Sequence, residues 1–369
     1  MEDLKNFTTI ERMLIQQSGL KKRPINGSIE LLPLCNMNCD MCYVRLSRSE
    51  MEAQGRLRTA DEWISIASQM QKAGVLFLLL TGGEPFLYPE FRSLYQRLLK
   101  LGMILTINTN GTLITEELAQ FLAKNKPRRI NITLYGADDE AYRTLCHYPG
   151  GFTKTVQGIH LLKKYGIDVK VSCSVTPDNR SDIQRLLQIG NELGVPVRMD
   201  TYMLPAIRER SLPFNRQSRL MPEEAARARI EALKGEMGPE LFRDFTVQTL
   251  EQIADSPASE EVPLPMSCLA GSCSFTINWK GEIQPCVILD QPSISVFEHG
   301  FEPAWQQIVQ ACSHVRLYSG CSVCRLRPLC RTCAACALYE TGAFDQKPEY
   351  MCRYASESYR MLQEEAASD

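Results

Sequence analysis

Three cysteines stand within eight residues, Cys35, Cys39 and Cys42, at spacing C-x3-C-x2-C. They directly follow an apolar run that reads as a buried strand, so the thiols occupy the loop leaving its C-terminal end. Thiolates are the usual ligands of iron–sulfur clusters, and three of them can hold three corners of a cubane, leaving one iron open to another ligand. A zinc knuckle is the competing chemistry, since C-x2-C is one of its common elements. A second stretch, Gly82-Gly83-Glu84-Pro85, also closes an apolar run. Its two glycines permit a close backbone approach, and the carboxylate beside them can accept hydrogen bonds from an ammonium. Standing alone, such a tetrapeptide is more often a simple turn.

Positioning these residues falls to an alternating pattern between Gly27 and Tyr202. Apolar runs at 28–32, 75–80, 103–108, 130–134, 169–175 and 197–202 have the length and composition of buried strands. Amphipathic stretches separate them. Thr59-Ala60-Asp61-Glu62 is a capping box opening a helix through Ala73, with Gly74 as its stop. Further helical patterns cover 90–101, 115–125, 152–165 and 181–193. Strands each followed by a helix predict parallel βα units, in a doubly wound or a barrel-like sheet; either way, ligands gather at the C-terminal strand ends. Those ends carry the cysteine triplet, the 82–85 turn, Asn108-Thr109-Asn110-Gly111, and residues 133–136, 176–179 and 198–200.

Beyond 202 the alternation breaks. Pro205, Pro213 and Pro222 punctuate a charged stretch, 223–237 has a helical pattern, and 255–265 is a Pro/Ser/Glu-rich connection. Residues 357–369 predict a short helix fraying into an acidic tail. The chain divides into an extension (1–26), an α/β unit (27–215), a helical linker (216–262) and a cysteine-rich unit (263–369).

With 369 residues, 44% of them apolar, the chain can build a real core. A net charge of −2 gives no whole-protein pull toward nucleic acid or a membrane. The run Lys21-Lys22-Arg23 reads as a solvated linker. The N-terminus has acidic residues where a secretory signal is basic, and no apolar region follows. No window approaches the roughly 18 consecutive apolar residues of a membrane span. A cytoplasmic, soluble protein is expected. In a reducing compartment fifteen cysteines are metal ligands or redox groups rather than disulfides. Nine fall between Cys268 and Cys336, with Cys352 beyond, and only Cys146 and Cys173 separate them from the first group. Two metal-bearing modules are expected.

The cysteine triplet at the end of one strand, with Gly82-Gly83-Glu84-Pro85 at the end of the next, resembles the radical S-adenosylmethionine (SAM) enzymes. The resemblance implies a partial (β/α)6 barrel and a 4Fe–4S cluster on Cys35, Cys39 and Cys42, with SAM chelating the open iron. It further implies that Gly82, Gly83, Glu84 and Pro85 hold the amino group of SAM, that Tyr43 contacts its adenine, and that Asn108 and Asn110 lie near it. The segment 132–152 resembles the family's fourth strand and following loop. Many relatives have Asp or Glu where Tyr135 stands, so Tyr135 receives no role. Arg143 is either a partner for a SAM carboxylate or, the favoured reading, a surface arginine.

Further on, the pattern is Cys268-x4-Cys273-x12-Cys286, then Cys321-x2-Cys324-x5-Cys330-x2-Cys333-x2-Cys336, then Cys352. With a hairpin around Lys280-Gly281 and its Gly281-x4-Cys286 element, it resembles the SPASM domain appended to many radical SAM enzymes. That resemblance implies two auxiliary 4Fe–4S clusters, one on Cys268, Cys273, Cys286 and Cys333, the other on Cys321, Cys324, Cys330 and Cys352. The family places three residues between the third and fourth clustered cysteines where this chain has two, so Cys336 rivals Cys333. The Ala-rich stretch and Thr341-Gly342 after it favour Cys333. Two zinc sites are the alternative. Cys173 reads as a buried apolar residue; Cys146 or Cys173 facing the pocket could instead donate a hydrogen atom. His147, His160, His299 and His314 show no metal spacing.

For function, the resemblance implies reductive cleavage of SAM to methionine and a 5′-deoxyadenosyl radical, which takes hydrogen from an unactivated carbon. The cofactor supplies that chemistry and the protein supplies orientation. SPASM-bearing enzymes mostly modify peptides, by thioether or carbon–carbon crosslinking, epimerisation or oxidation. A peptide or protein substrate is therefore expected. The expected partners are a separate leader-peptide-binding protein and an external electron donor such as flavodoxin or ferredoxin. Neither nucleic acid nor a membrane is expected. Sulfatase maturases carry a catalytic Asp directly after the cysteine equivalent to Cys286; here Val287 follows, with Asp290 three residues on, which argues against that role. Only about 26 residues precede the first strand, too few for a winged-helix leader-binding module. A radical SAM dehydrogenase of a small molecule is the alternative, and a zinc-stabilised binding protein a third.

Overall fold

The computed structural model describes residues 8–203, 218–255, 260–330 and 333–368. Helix α1 (Thr9–Leu20) opens on a capping box between Thr8 and Glu11 and leads to β1 (Asn26–Glu30). Then come α2 (Arg48–Gln54), α3 (Ala60–Ala73), β2 (Phe77–Thr81), α4 (Phe91–Lys100), β3 (Ile104–Thr109) and α5 (Glu116–Lys124). The series continues with β4 (Arg129–Thr133), α6 (Asp139–Leu145), α7 (Gly151–Lys164), β5 (Val169–Ser174), α8 (Ile183–Leu193) and β6 (Val197–Asp200). Strands β1 to β6 are neighbours in chain order and every pair is parallel. This is the partial (β/α)6 barrel that the sequence predicts.

Local chemistry explains the boundaries. At α3, Thr59 Oγ1 accepts from the Glu62 amide at 3.2 Å and Glu62 returns a bond to the Thr59 amide at 2.8 Å. Gly74 ends the helix in the left-handed region at φ 103°, where a side chain is strained. Along β5, Val169, Val171 and Cys173 are buried toward the helices while Lys170, Ser172 and Ser174 take the other face, the two-residue period of a strand covered on one side by helices. Trp63, Tyr95 and Tyr142 are fully buried in the resulting core.

The second half contributes α9 (Pro222–Met237), α10 (Pro239–Ala254), β7 (Leu264–Pro265), β8 (Ser274–Ile277), β9 (Glu282–Gln284) and β10 (Ile294–Ser295). After these come α11 (Val296–His299), α12 (Phe301–His314), β11 (Arg316–Leu317), α13 (Ala334–Thr341) and α14 (Glu349–Ser368). The expected hairpin is β8–β9, turning through Gly281 at φ 87°. Its docking was not legible: β8 pairs in parallel with β1, so the sheet runs β10-β9-β8-β1-β2-β3-β4-β5-β6. Helix α14 begins at Glu349, earlier than the tail helix expected at 357, and packs on α9 and α10. The expected boundary at 215/216, with Pro205 and Pro213, lies outside the described residues. Among the described residues, no helix is long and apolar enough to cross a membrane.

The β1–β8 seam has no slack. A Cβ on Gly27 would sit 2.4 Å from the Phe275 ring, which is itself wedged against Phe301 and Trp305 at centroid distances of 5.1 and 5.9 Å. Gly27→Ala is therefore expected to cost about 1–3 kcal/mol by overpacking, read as a lower urea midpoint at unchanged slope.

Candidate functional site

The chain leaves β1 through Leu31 to Leu34 and enters the loop of Cys35, Cys39 and Cys42. The turn after β2 grips that exit. Gly83 N donates to Leu32 O at 2.8 Å and Glu84 N to Leu34 O at 2.9 Å. A Cβ on Gly82 would lie 2.4 Å from Leu32 O, and one on Gly83 2.2 Å from Leu34 O. Both glycines are thus required by contact between two backbones, whatever a ligand also demands of them. Pro85 is buried and opens a short 3-10 turn, Pro85–Leu87.

Glu84 is 0% exposed. Its carboxyl accepts from Thr109 Oγ1 at 2.8 Å, from the Asn110 amide at 2.9 Å and from the Phe86 amide at 3.1 Å. Burial outweighs these donors and pushes the group up to about 7, since none of them carries the positive charge that would hold a buried carboxylate ionised. Asn110 extends the network to the cysteine loop: its Nδ2 donates to Asn36 Oδ1 at 2.8 Å and lies 3.7 Å from Cys35 Sγ. Asn36 Nδ2 in turn donates to Thr112 Oγ1 at 2.8 Å. The ends of β2 and β3 and the loop after β1 are therefore one hydrogen-bonded unit.

Backbone amides point at the sulfurs, Met37 N at Cys35 Sγ (3.4 Å) and Arg45 N at Cys42 Sγ (3.3 Å). Burial pushes the Cys35 thiol up to about 12. Cys39 is raised chiefly by a hydrogen bond shared with Cys146, with Tyr135 opposing. Thiols in such surroundings keep their protons until a metal displaces them, and the amide donors then stabilise the thiolates, as in iron–sulfur sites. The residues fit an iron–sulfur cluster. The end of α6 braces the loop from below: Asn38 N donates to Cys146 O at 3.0 Å and Asp40 N to Leu145 O at 3.1 Å.

Of the residues expected beside the cysteines, Asn110 joins them directly and Glu84 joins them through Asn110. Asn108 accepts from Asn131 Nδ2 at 2.8 Å across the β3–β4 pair, apart from that network. Tyr43 packs against both the barrel core and the Ile288, Leu289 and Ala335 cluster beside Cys286 and Cys333. Arg143 pairs with Glu140 at the surface, as favoured. Tyr135, given no role, faces the loop; burial and then the nearby Cys39 raise its phenol. Asn179 was also passed over, yet it is buried and ties Tyr135 O (2.7 Å) to Ser174 O (3.0 Å). Folding brings Tyr135 and Cys146 to the loop from over ninety positions away, without any spacing to announce them. Cys173 is 1% exposed on the helix-facing side of β5, where an apolar residue belongs.

Among the C-terminal cysteines, Cys286 accepts from Leu289 N at 3.1 Å and is pushed up to about 11 by burial, with Cys333 and Cys268 as its charged neighbours. Cys333 caps the N-terminus of α13. A hydrogen bond from Cys336, with the amides of Cys336 and Ala335, brings it down to about 6, as a helix N-terminus does for a thiol. Cys336 is buried and receives Tyr202 OH at 3.1 Å. Cys352 lies within electrostatic reach of Cys321 and Cys324, while Cys330 is half-buried against the core. Among the described residues, no three His, Cys, Asp or Glu side chains converge tightly enough to hold a single metal ion.

Comparison with known proteins agrees with this geometry. Residues 29–189 match the model of the radical SAM superfamily. The AdoMet-dependent heme synthase of Methanosarcina barkeri is 25% identical over 337 residues, spanning 88% of this chain and 95% of that protein. The antilisterial bacteriocin subtilosin biosynthesis protein AlbA of Bacillus subtilis is 30% identical over 172 residues, 46% of this chain and 38% of its own length. Among solved structures, Streptococcus suis SuiB bound to precursor peptide SuiA superposes with a TM-score of 0.66 at 18% identity, over 89% of this chain and 76% of that one. The cysteine-rich C-terminal region is in keeping with these relatives, and residues 29–189 carry a radical SAM domain.

Proposed function

We propose that this protein is a peptide-modifying radical SAM enzyme with two auxiliary clusters in its C-terminal region. The observation that carries the reading is the buried Glu84, joined through Asn110 to Cys35. When bound on Cys35, Cys39 and Cys42, a 4Fe–4S cluster supplies the electron that cleaves SAM to a 5′-deoxyadenosyl radical for hydrogen abstraction. Glu84 accepts the ammonium of SAM, and Thr109 and the Asn110 amide hold its carboxylate toward that ammonium. Asn110 and Asn36 fix the Cys35 side of the loop, and Tyr43 takes the adenine side. The chain's own donors and its close-packed loops orient the reacting groups and exclude water. An external flavodoxin or ferredoxin delivers the electron.

For the auxiliary clusters, Cys268, Cys286 and Cys333 with one further thiol form one ligand set, and Cys321, Cys324, Cys330 and Cys352 form the other. Cys333 is preferred to Cys336 because Cys336 is buried, receives Tyr202 OH and donates its own hydrogen bond to Cys333. A peptide substrate is supported by the likeness to AlbA, which serves bacteriocin biosynthesis. A second reading, a small tetrapyrrole-type substrate, is favoured by the heme synthase of M. barkeri, whose similarity runs along nearly the whole chain.

Anaerobic reconstitution should yield about twelve irons per chain, as three four-iron clusters require, and 5′-deoxyadenosine on adding SAM and reductant. A protein that binds zinc and leaves SAM intact would overturn the proposal. Mass spectrometry of a co-expressed candidate peptide, beside turnover of a haem precursor, separates the two substrates.

Two variants probe the SAM site itself. Gly83→Ala would push its Cβ into Leu34 O, so it should lose about four irons, those of the first cluster. Glu84 ionises near 7 before SAM binds, so SAM affinity should rise with pH up to about 7 and level off above it. Glu84→Gln should bind weakly with a flat profile; isothermal titration across pH reads both.

A further inference from the structure

The resemblance to the SPASM domain implies Cys273 as a ligand of the first auxiliary cluster and leaves Cys312 without a part. The folded chain arranges them differently. Cys273 stands at the entry to β8, in the same parity as Phe275 and Ile277, so it faces the helices. There it is 0% exposed in an apolar group with Ile15 of α1, Ile25 and Phe77. Its sulfur interacts with the Ser272 side chain, and among the other cysteines only Cys268 acts on it.

Cys312, in the last turn of α12, is 8% exposed. The loop between Cys268 and Cys273 wraps directly over it: a Cβ on Gly271 would lie 2.3 Å from Cys312 Sγ. Gly271 holds φ 64° and so makes that approach without strain. The Cys312 thiol lies within Coulombic reach of both Cys268 and Cys286, and Cys286 in turn has Cys333 as its neighbour. Burial pushes the Cys312 and Cys273 thiols up, and Lys22 weakly opposes this at both. That lysine belongs to the run that the sequence assigns to a solvated linker, and its backbone carbonyl is held by Trp305 Nε1 at 3.1 Å.

Resting on the reading of two auxiliary clusters, we propose that Cys312 ligates the first of them together with Cys268, Cys286 and Cys333, and that Cys273 is an apolar packing residue. On taking iron, each ligand sulfur that still carries a proton releases it to solvent, and no electron is exchanged.

The test uses the full chain with Cys35, Cys39 and Cys42 replaced by Ala, so that only auxiliary clusters remain. Reconstituted anaerobically, this background should bind about eight irons; four or fewer would overturn the two-cluster reading, and this assignment with it. In that background Cys312→Ala should lose about four irons, and Cys312→Ser should keep them with a shifted electron paramagnetic resonance spectrum, since oxygen replaces sulfur on one iron. Cys273→Ala should retain the full count and an unchanged spectrum. Circular dichroism and the thermal midpoint establish that each variant is folded. The assignment fails if the Cys312 variants keep both iron and spectrum, or if folded Cys273→Ala loses iron.

Discussion

One buried carboxylate governs how the upper face of the barrel is built. Glu84 sits where the ends of β2 and β3 meet the exit from β1, and its surroundings offer a hydroxyl and two backbone amides. Burying such a group without a cationic partner is costly, so the backbone around it must be fixed closely enough to present every donor. The amide bonds from Gly83 and Glu84 to Leu32 and Leu34 do this, and they leave no room for a side chain at residues 82 and 83. The same carboxylate thus demands the glycines before it, the Thr109-Asn110 pair across from it and, through Asn110, the placement of Cys35.

The second constraint is the seam between β1 and β8. Because the hairpin extends the barrel sheet, the cysteine-rich region is set relative to the first cysteine loop by strand pairing rather than by a tether. Arg58 strengthens the junction: its guanidinium donates to Lys280 O at 2.9 Å and lies 4.3 Å from the centre of the Phe297 ring. Tyr43 completes it from the other side, resting on the segment after Cys286. Two groups of cysteines far apart in sequence are in this way held in one frame.

Much of this was legible from residue order. The six strands, the capping boxes and the hairpin are written in local patterns of period, cap and turn, which act over a few residues. Glu84 and the triplet were legible because strand ends collect ligands in such sheets. What escaped was non-local. Nothing in the sequence near Tyr135 or Cys146 says that the segment after β4 and the end of α6 will bring them to Cys39. The pairing of β8 with β1 depends on Gly27 receiving the Phe275 ring, a match across nearly 250 positions. The glycines of the 82–85 turn were assigned to a ligand, whereas the atoms that exclude a Cβ belong to the chain itself.

Thiol electrostatics draw these features together. Burial holds Cys35 up to about 12 and Cys286 up to about 11, while the start of α13 and the Cys336 thiol bring Cys333 down to about 6. Burial thus favours the protonated form of the first two, while the Cys336 hydrogen bond makes the third easier to deprotonate. A metal at Cys35 would have to displace a proton, and Glu84, which acts on that thiol, has itself been raised to about 7. The cost of burying Cys35 and Glu84 together would be relieved by positive charge entering on either side of Asn110.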